Sequence, residues 1–146
     1  SHINEAIKKN FSSYIPSEII AEPGRFLVAS AGIIETEIIL IKKSKNNDSK
    51  WVYLDIGRYN GLAETEGEAI KYKLLVKGYN KYSGTKYILA GPSCDSHDIL
   101  YEKTLYKLPK NLKIGDRIRL FPAGAYTVSY ETNFNGIKKA KKVFLD

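Results

Sequence analysis

Few side chains in this sequence could carry a reaction, and they gather in three short segments. Glu22-Pro23-Gly24-Arg25 sets a carboxylate and a guanidinium three residues apart across a bend, with a glycine that lets the backbone approach a ligand. A ligand with both a basic ring nitrogen and a phosphate suits that pair. Gly91-Pro92-Ser93-Cys94-Asp95-Ser96 crowds a thiol, an acid and small hydroxyls onto a tight strand exit. Gly124-Ala125-Tyr126 ends a strand-like run with a phenol that could reach a phosphate or simply pack. Each segment also has a plain structural reading: Glu22 and Arg25 as a local ion pair, Cys94 as a small buried hydrophobe, Tyr126 as a core aromatic.

Other chemistries have less to draw on. The two histidines are His2, at the extreme N-terminus, and His97, three residues after Cys94. A thiol–imidazole dyad of Cys94 and His97 is conceivable, since a low-pKa cysteine needs an adjacent cationic group. No GxxxxGK, GxGxxG or HExxH motif is present, which leaves nucleotide-loop and metalloprotease readings without support. A single cysteine excludes an internal disulfide, and with no Cys/His cluster around it no familiar zinc motif is formed, so a reducing, cytoplasmic compartment is expected and no metal.

The elements that must position these residues are mostly strands. Ile3, Ala6, Ile7 and Phe11 mark one face of a helix over residues 3–11, which Pro16 terminates. Glu18 to Ala21 reads as a short buried strand ending at the Pro23-Gly24 turn. Strands are then expected at Phe26 to Ala31, Glu35 to Lys42, Trp51 to Ile56, Ile70 to Lys77, Lys86 to Ala90, Asp116 to Phe121 and Lys138 to Leu145, where β-branched and aromatic residues are frequent. Turn signals separate them at Ser44 to Ser49, Gly57 to Gly61, Tyr79 to Gly84, Gly91-Pro92-Ser93, Gly115-Asp116 and Asn135-Gly136, the last suited to a tight hairpin. Many short strands after one helix predict a mainly β fold, a closed or nearly closed barrel or a sandwich.

Composition sets the outer bounds. At 146 residues, 43% hydrophobic and 27% charged, the chain makes one ordinary domain with a sizeable core and is not a disordered or coiled-coil protein. No apolar run approaches the roughly 18 residues of a membrane span. The formal charge of +7 favours acidic partners, but the lysines are dispersed, as at Lys42-Lys43, Lys45, Lys50, Lys138-Lys139 and Lys141-Lys142, and suit solvated loops and protected strand edges. The chain starts Ser1-His2-Ile3 and has no methionine, so it is expected to be a fragment or a single domain.

Taken in order, the segments resemble one family from end to end. Glu22-Pro23-Gly24-Arg25-Phe26 with Val28-Ala29-Ser30-Ala31-Gly32, Trp51 to Gly57, Gly61-Leu62-Ala63-Glu64-Thr65, Gly91 to Ser96, Gly115-Asp116, Gly124-Ala125-Tyr126-Thr127 and Phe134-Asn135-Gly136 are similar to the C-terminal portion of the fold-type III (alanine-racemase-fold) pyridoxal-phosphate decarboxylases. These act on ornithine, lysine and diaminopimelate. The resemblance implies that residues 1–25 are the last helix and strand of an α/β barrel and residues 26–146 a C-terminal β-barrel domain.

It also implies roles. Glu22 would pair with the pyridinium nitrogen of pyridoxal 5'-phosphate and keep it protonated. Gly24, Arg25 and Tyr126 would hold the phosphate through a backbone amide, a guanidinium and a hydroxyl. Cys94 would direct or deliver a proton to the carbanionic intermediate, and Asp95 would face the distal ammonium of a diamino acid. In this family the site is shared across a two-fold homodimer, so Cys94 and Asp95 would serve the partner's cofactor. The Schiff-base lysine, glycine-rich phosphate loop and ring-stacking histidine of the family lie upstream, and no lysine here sits in a matching motif. The chain is therefore expected to hold half a site and to be inactive alone.

Substrate preference follows the same resemblance. Diaminopimelate decarboxylases usually carry glutamate after the loop cysteine, whereas this chain has Cys94-Asp95-Ser96. Gly61 to Thr65 followed by Glu68-Ala69-Ile70-Lys71-Tyr72 is most similar to bacterial-type lysine/ornithine decarboxylases, with Glu64 and Glu68 as additional candidates for the distal amine or as merely solvated charges. One methylene separates the two substrates, worth about 1–3 kcal/mol in a pocket, so the implication covers both. Two other classes compete: a non-catalytic homologue that binds and regulates a true decarboxylase, and a nucleic-acid-binding barrel using Lys71-Tyr72-Lys73 and Tyr79-Asn80-Lys81-Tyr82. Intact Glu22, Arg25, Cys94, Asp95 and Tyr126 argue against the non-catalytic homologue, and the decarboxylase reading carries no nucleic-acid or membrane partner.

Overall fold

A computed structural model describes residues 1–11, 13–14, 16–45, 48–79 and 84–145. Six strands form one curled sheet: β1 (Ile34–Lys43), β2 (Lys50–Leu54), β3 (Lys73–Val76), β4 (Thr85–Ala90), β5 (Ile99–Leu108) and β6 (Arg117–Phe121), in the order β3-β6-β1-β2-β4-β5. Every pairing is antiparallel except the parallel pair β2–β4. The curl originates in β1, which pairs with β6 through Ile34–Glu37 and with β2 from Ile38 onward, with a register irregularity between Ile38 and Leu40. Such an irregularity bends a strand and sharpens its twist.

Alternation directs the apolar side chains into the curl. Ile38, Val52, Leu54, Leu74, Val76, Leu89, Tyr101, Leu108, Ile118 and Leu120, drawn from all six strands, form one buried cluster. The opposite faces of β1 and β6 carry charge: Arg117 pairs with Glu35 and Glu37 at 3.4 and 3.2 Å, and Arg119 with Glu35 at 2.9 Å.

β5, at one end of the sheet, is joined by side chains instead of a ladder to the segment that leads into β3 at the other end. The Tyr101 hydroxyl donates to the Ile70 carbonyl (2.7 Å) and accepts from the Tyr72 amide (3.3 Å), while the Tyr106 hydroxyl donates to the Tyr72 carbonyl (2.7 Å). Burial raises the pKa of both phenols and so keeps them neutral donors. Glu68 closes the seam further. Its carboxylate accepts from the amides of Glu102 (2.9 Å), Lys103 (2.6 Å) and Thr104 (2.9 Å). Desolvation opposes the charged form of Glu68, but the bonds from Thr104 and from the three amides outweigh it and bring its pKa down to about 2. Glu68 is thus a structural clamp and not a free solvated charge.

Several expectations are corrected. Phe26 to Ala31 is helical, as α2 (Arg25–Val28) followed by a 3-10 turn at Ala29–Ala31, and Phe26 is 95% exposed. Bonds from the Gly124 amide to the Ala29 carbonyl and from the Ala123 amide to the Gly32 carbonyl, both 2.8 Å, fold this segment back on the loop after β6. Glu18 to Ala21 forms no strand and Ile20 is 75% exposed, because among the described residues no strand lies beside it to complete a ladder. Lys138 to Leu145 is likewise irregular, tethered by Lys142 to Glu131 at 3.3 Å. Asn133–Gly136 makes a turn with left-handed Asn135 (φ 53) and Gly136 (φ 73), but no strands flank it. The expected helix is present as α1 (His2–Asn10). β5 is additional: its alternation is interrupted at Glu102-Lys103-Thr104, the stretch whose amides turn to Glu68. Residues 46–47 and 80–83, inside two expected turns, lie outside the described residues.

Candidate functional site

Two groups of candidate residues emerge, each built on loops that the sheet anchors. The first lies where the start of α2 meets the loop after β6. Gly124 has no room for a side chain against the Val28 carbonyl, and this close approach seats residues 122–130 beside residues 24–32. The Thr127 hydroxyl donates to the Ala123 carbonyl (2.9 Å), holding the loop as it passes through Tyr126 in a left-handed conformation (φ 55). A Cβ on Gly24 would lie 3.4 Å from the Tyr126 hydroxyl, and the Arg25 guanidinium carbon sits 5.2 Å from the Tyr126 ring centroid. Gly24, Arg25 and Tyr126 therefore converge on one open cavity of about 240 Å³, which Pro23, Leu27 and Ser129 also line. Tyr130 stacks on Tyr126 with centroids 5.9 Å apart.

Arg25 has an ionic partner, and it is Glu64, not Glu22. The Arg25 Nη2 donates to both carboxylate oxygens of Glu64, at 2.6 and 2.8 Å. The bond to Glu64 raises the arginine's pKa above its ordinary value and secures its charge. Glu22 is exposed and makes no hydrogen bond or ion pair among the described residues. Tyr126 is half-exposed, not a core aromatic.

The second group is the 91–98 loop. Its organiser is Asp98, 2% exposed, whose carboxylate accepts from the Arg58 amide (2.7 Å), the Ser93 amide (3.0 Å) and the Ser93 hydroxyl (2.6 Å). Gly57 and Gly91 flank it, and a Cβ at either would overlap the carboxylate. Held this way, the loop turns through Cys94 in a left-handed conformation (φ 59) and leaves the thiol exposed. Asp95 Oδ1 accepts from the His97 amide at 2.7 Å. Burial, the charges of Asp95 and Asp98 and a hydrogen bond with Asp95 raise the Tyr59 phenol's pKa. Asn135 donates to the Ser93 carbonyl (3.0 Å), and Phe134 stacks on Tyr59 at 4.1 Å. No hydrogen bond joins Cys94 to His97 among the described residues, so the dyad has no geometric support.

Sequence reasoning missed Asp98 and Arg58. Arg58 ties the 63–68 turn to β5, donating to the Glu66 carboxylate (2.6 Å) and the Thr65 and Ile99 carbonyls (3.2 and 2.6 Å). The available signal was the pair of glycines, Gly57 and Gly91, that end β-rich runs. No hydrogen bond, ion pair or ring contact among the described residues links the Arg25–Tyr126 group to Cys94 or Asp95. Among the described residues no cluster of His, Cys, Asp and Glu is arranged to hold a metal, and no helix is long and apolar enough to cross a membrane. Tyr72, central to the proposed Lys71-Tyr72-Lys73 stacking motif, is buried at 2% exposure and offers no platform for a base; Lys81 and Tyr82 lie outside the described residues.

Comparison with known proteins gives a consistent set. Residues 13–124 match the family model for the pyridoxal-dependent decarboxylase C-terminal sheet domain. An ornithine decarboxylase of Schizosaccharomyces pombe is 32% identical across 99% of this chain and 35% of its own length. A diaminopimelate decarboxylase of Staphylococcus aureus is 33% identical across 88% of this chain and 30% of its own. The solved lysine/ornithine decarboxylase of Vibrio vulnificus, complexed with cadaverine, superimposes with a TM-score of 0.79 at 32% identity, covering 99% of this chain and 37% of that one. The chain spans about a third of the length of these relatives.

Proposed function

Since this chain belongs to the pyridoxal-dependent decarboxylases, as their C-terminal sheet domain, we propose that it forms the C-terminal third of a decarboxylase that converts ornithine, lysine or both to the diamine and carbon dioxide. Residues 1–25 are then the last helix and strand segment of an α/β barrel, and the site is completed by upstream residues and by a second copy in a homodimer. The observation that carries the reading is the convergence of Gly24, Arg25 and Tyr126 on one cavity.

These residues fit a phosphate. A guanidinium, a phenolic hydroxyl and a backbone amide with no Cβ in the way form a donor set for an anion, and a charged donor makes the stronger bonds. Pyridoxal phosphate supplies a conjugated ring that takes up the electron pair left when carbon dioxide departs. Arg25, Gly24 and Tyr126 hold the phosphate end and so orient the ring. The Glu22 carboxylate, three residues before Arg25, accepts from the protonated ring nitrogen and keeps the proton there. On the other group, the exposed Cys94 thiol holds the proton that replaces the lost carboxylate, and Asp95 receives the substrate's distal ammonium. That no hydrogen bond, ion pair or ring contact among the described residues joins the two groups fits their serving two different sites across a dimer.

The test is made on the full-length protein that carries this chain. It should retain pyridoxal phosphate on dialysis and release carbon dioxide from ornithine or lysine, while this chain alone should release none. A full-length protein that neither retains the cofactor nor decarboxylates either diamino acid would refute the proposal.

A further inference from the structure

We propose that Glu64 is a positioning residue for the phosphate end of the site: by clamping one nitrogen of Arg25 it fixes the guanidinium over Tyr126 and leaves its remaining donors for the anion. The inference rests on the reading above and goes beyond it, because it assigns Glu64 to the cofactor's phosphate instead of the substrate's amine.

The geometry is specific. An arginine has five N–H donors, and both bonds to Glu64, at 2.6 and 2.8 Å, fall on Nη2. Nε and Nη1 make no hydrogen bond among the described residues. Without a partner, a partly exposed arginine at the start of a four-residue helix would sample many rotamers, and ordering it would weigh against ligand binding. With Glu64 on one side and the Tyr126 ring on the other, the guanidinium is held from two directions.

Glu64 is itself well anchored. It lies in the 63–68 turn, where the buried Thr65 hydroxyl donates to the Leu62 carbonyl (2.7 Å) and the Ile70 amide donates to the Glu64 carbonyl (3.1 Å). Arg58 pins the same turn to β5. Behind the pair stands Tyr72, whose buried hydroxyl has no hydrogen-bond partner among the described residues and whose pKa is raised by burial and then by the charge of Glu64. A buried aromatic wall lowers the local dielectric and strengthens the adjacent ion pair.

The sign of the effect separates positioning from proximity. A carboxylate beside an anion site repels the anion, so simple electrostatics predicts tighter phosphate binding when Glu64 is removed. Positioning predicts the reverse.

The experiment titrates the cofactor-free full-length protein with pyridoxal 5'-phosphate and, separately, with pyridoxal, which lacks the phosphate. Glu64→Ala is expected to weaken pyridoxal phosphate binding about tenfold or more, the scale of one charge-assisted hydrogen bond, with pyridoxal affinity nearly unchanged. Glu64→Gln keeps an acceptor of the same shape and should fall between; it also covers the case in which the alanine variant fails to fold. Unchanged or tighter phosphate binding in the folded variants, or equal loss of both ligands, would overturn the inference. A wild-type protein that binds neither ligand, or does not prefer the phosphorylated one, would instead overturn the functional reading and this inference with it.

Discussion

Replacing Glu68 should loosen the seam of the sheet in a way that depends on pH. In Glu68→Gln, whichever way the amide is turned, its NH2 faces a backbone N–H among those of Glu102, Lys103 and Thr104, which now bond the carboxylate at 2.6–2.9 Å. The magnitude follows from linkage. A carboxyl brought from its ordinary 4.5 down to about 2 would represent about 3 kcal/mol if fully desolvated. Glu68 is half-buried, and solvent screening reduces the figure to about 1–2 kcal/mol. Because the folded pKa lies below the unfolded one, this stabilisation is complete above about pH 4.5 and drains away as the pH falls toward 2. Equilibrium urea denaturation of the chain and its variant across that range measures the gap directly. A gap of equal size at pH 7 and at pH 2.5, or no gap at neutral pH, would refute the account of Glu68 as a charged clamp.

The other seam bonds should be weaker and independent of acid: Tyr106→Phe, which removes the bond to the Tyr72 carbonyl, should cost about 1 kcal/mol in the same assay and show no pH dependence below 8. Gly91→Ala drives a Cβ into the Asp98 carboxylate, so the variant should be destabilised by about 3 kcal/mol or more and should expose the 91–98 loop to early amide exchange, whereas alanine at the open Gly115, with its φ of 92, should cost only about 1 kcal/mol. In the full-length protein, Glu22→Gln should retain cofactor yet lose most turnover, measured as carbon dioxide release; equal turnover would leave Glu22 a surface residue. Mixing an inactive Cys94→Ala chain with one disabled at the upstream lysine should restore roughly a quarter of wild-type activity, since about half the dimers are mixed and each carries one good site of two; no recovery after proven subunit exchange would place Cys94 in its own chain's site.

The sheet was legible in the sequence where runs rich in β-branched and aromatic residues are bounded by turn signals. Glu35 to Lys42, Trp51 to Ile56 and Asp116 to Phe121 predicted β1, β2 and β6 to within a few residues. β5 was not, because its middle is recruited by a carboxylate from another segment, and no local pattern announces that. Phe26 to Ala31 failed for a related reason: Phe26-Leu27-Val28 has strand-like composition, but its conformation is set by tertiary bonds to Ala123 and Gly124, a case of context overriding propensity. Lys138 to Leu145 and Glu18 to Ala21 have apolar content without a neighbouring strand among the described residues. Among the candidate residues, Gly24, Arg25 and Tyr126 could be named from type and order, yet the partner of Arg25 could not. Glu22 is the local choice at three residues, and the structure selects Glu64, thirty-nine residues away.

That choice reflects how this fold builds a site. The sheet contributes no candidate residue from the interior of a strand; every one lies on a loop, a short turn or, for Arg25, the first residue of α2. Loops hold precise positions only when something over-determines them, and here that role falls to charged groups with several bonds each. Asp98 fixes the loop of Cys94 and Asp95, Glu68 and Arg58 fix the 63–68 turn, and the turn in turn delivers Glu64 to Arg25. Each organiser accepts or donates at least three bonds, so removing it leaves several backbone groups unpaired at once, whereas removing a candidate residue such as Cys94 disturbs almost nothing structural. Substitutions at Asp98, Arg58 and Glu68 should therefore reduce stability and activity together, while those at Cys94, Asp95 and Glu22 should reduce activity with the fold intact. A thermal melt paired with a turnover measurement on the same variants sorts the two classes. An Asp98→Asn protein as stable as wild type would break the argument at its first step.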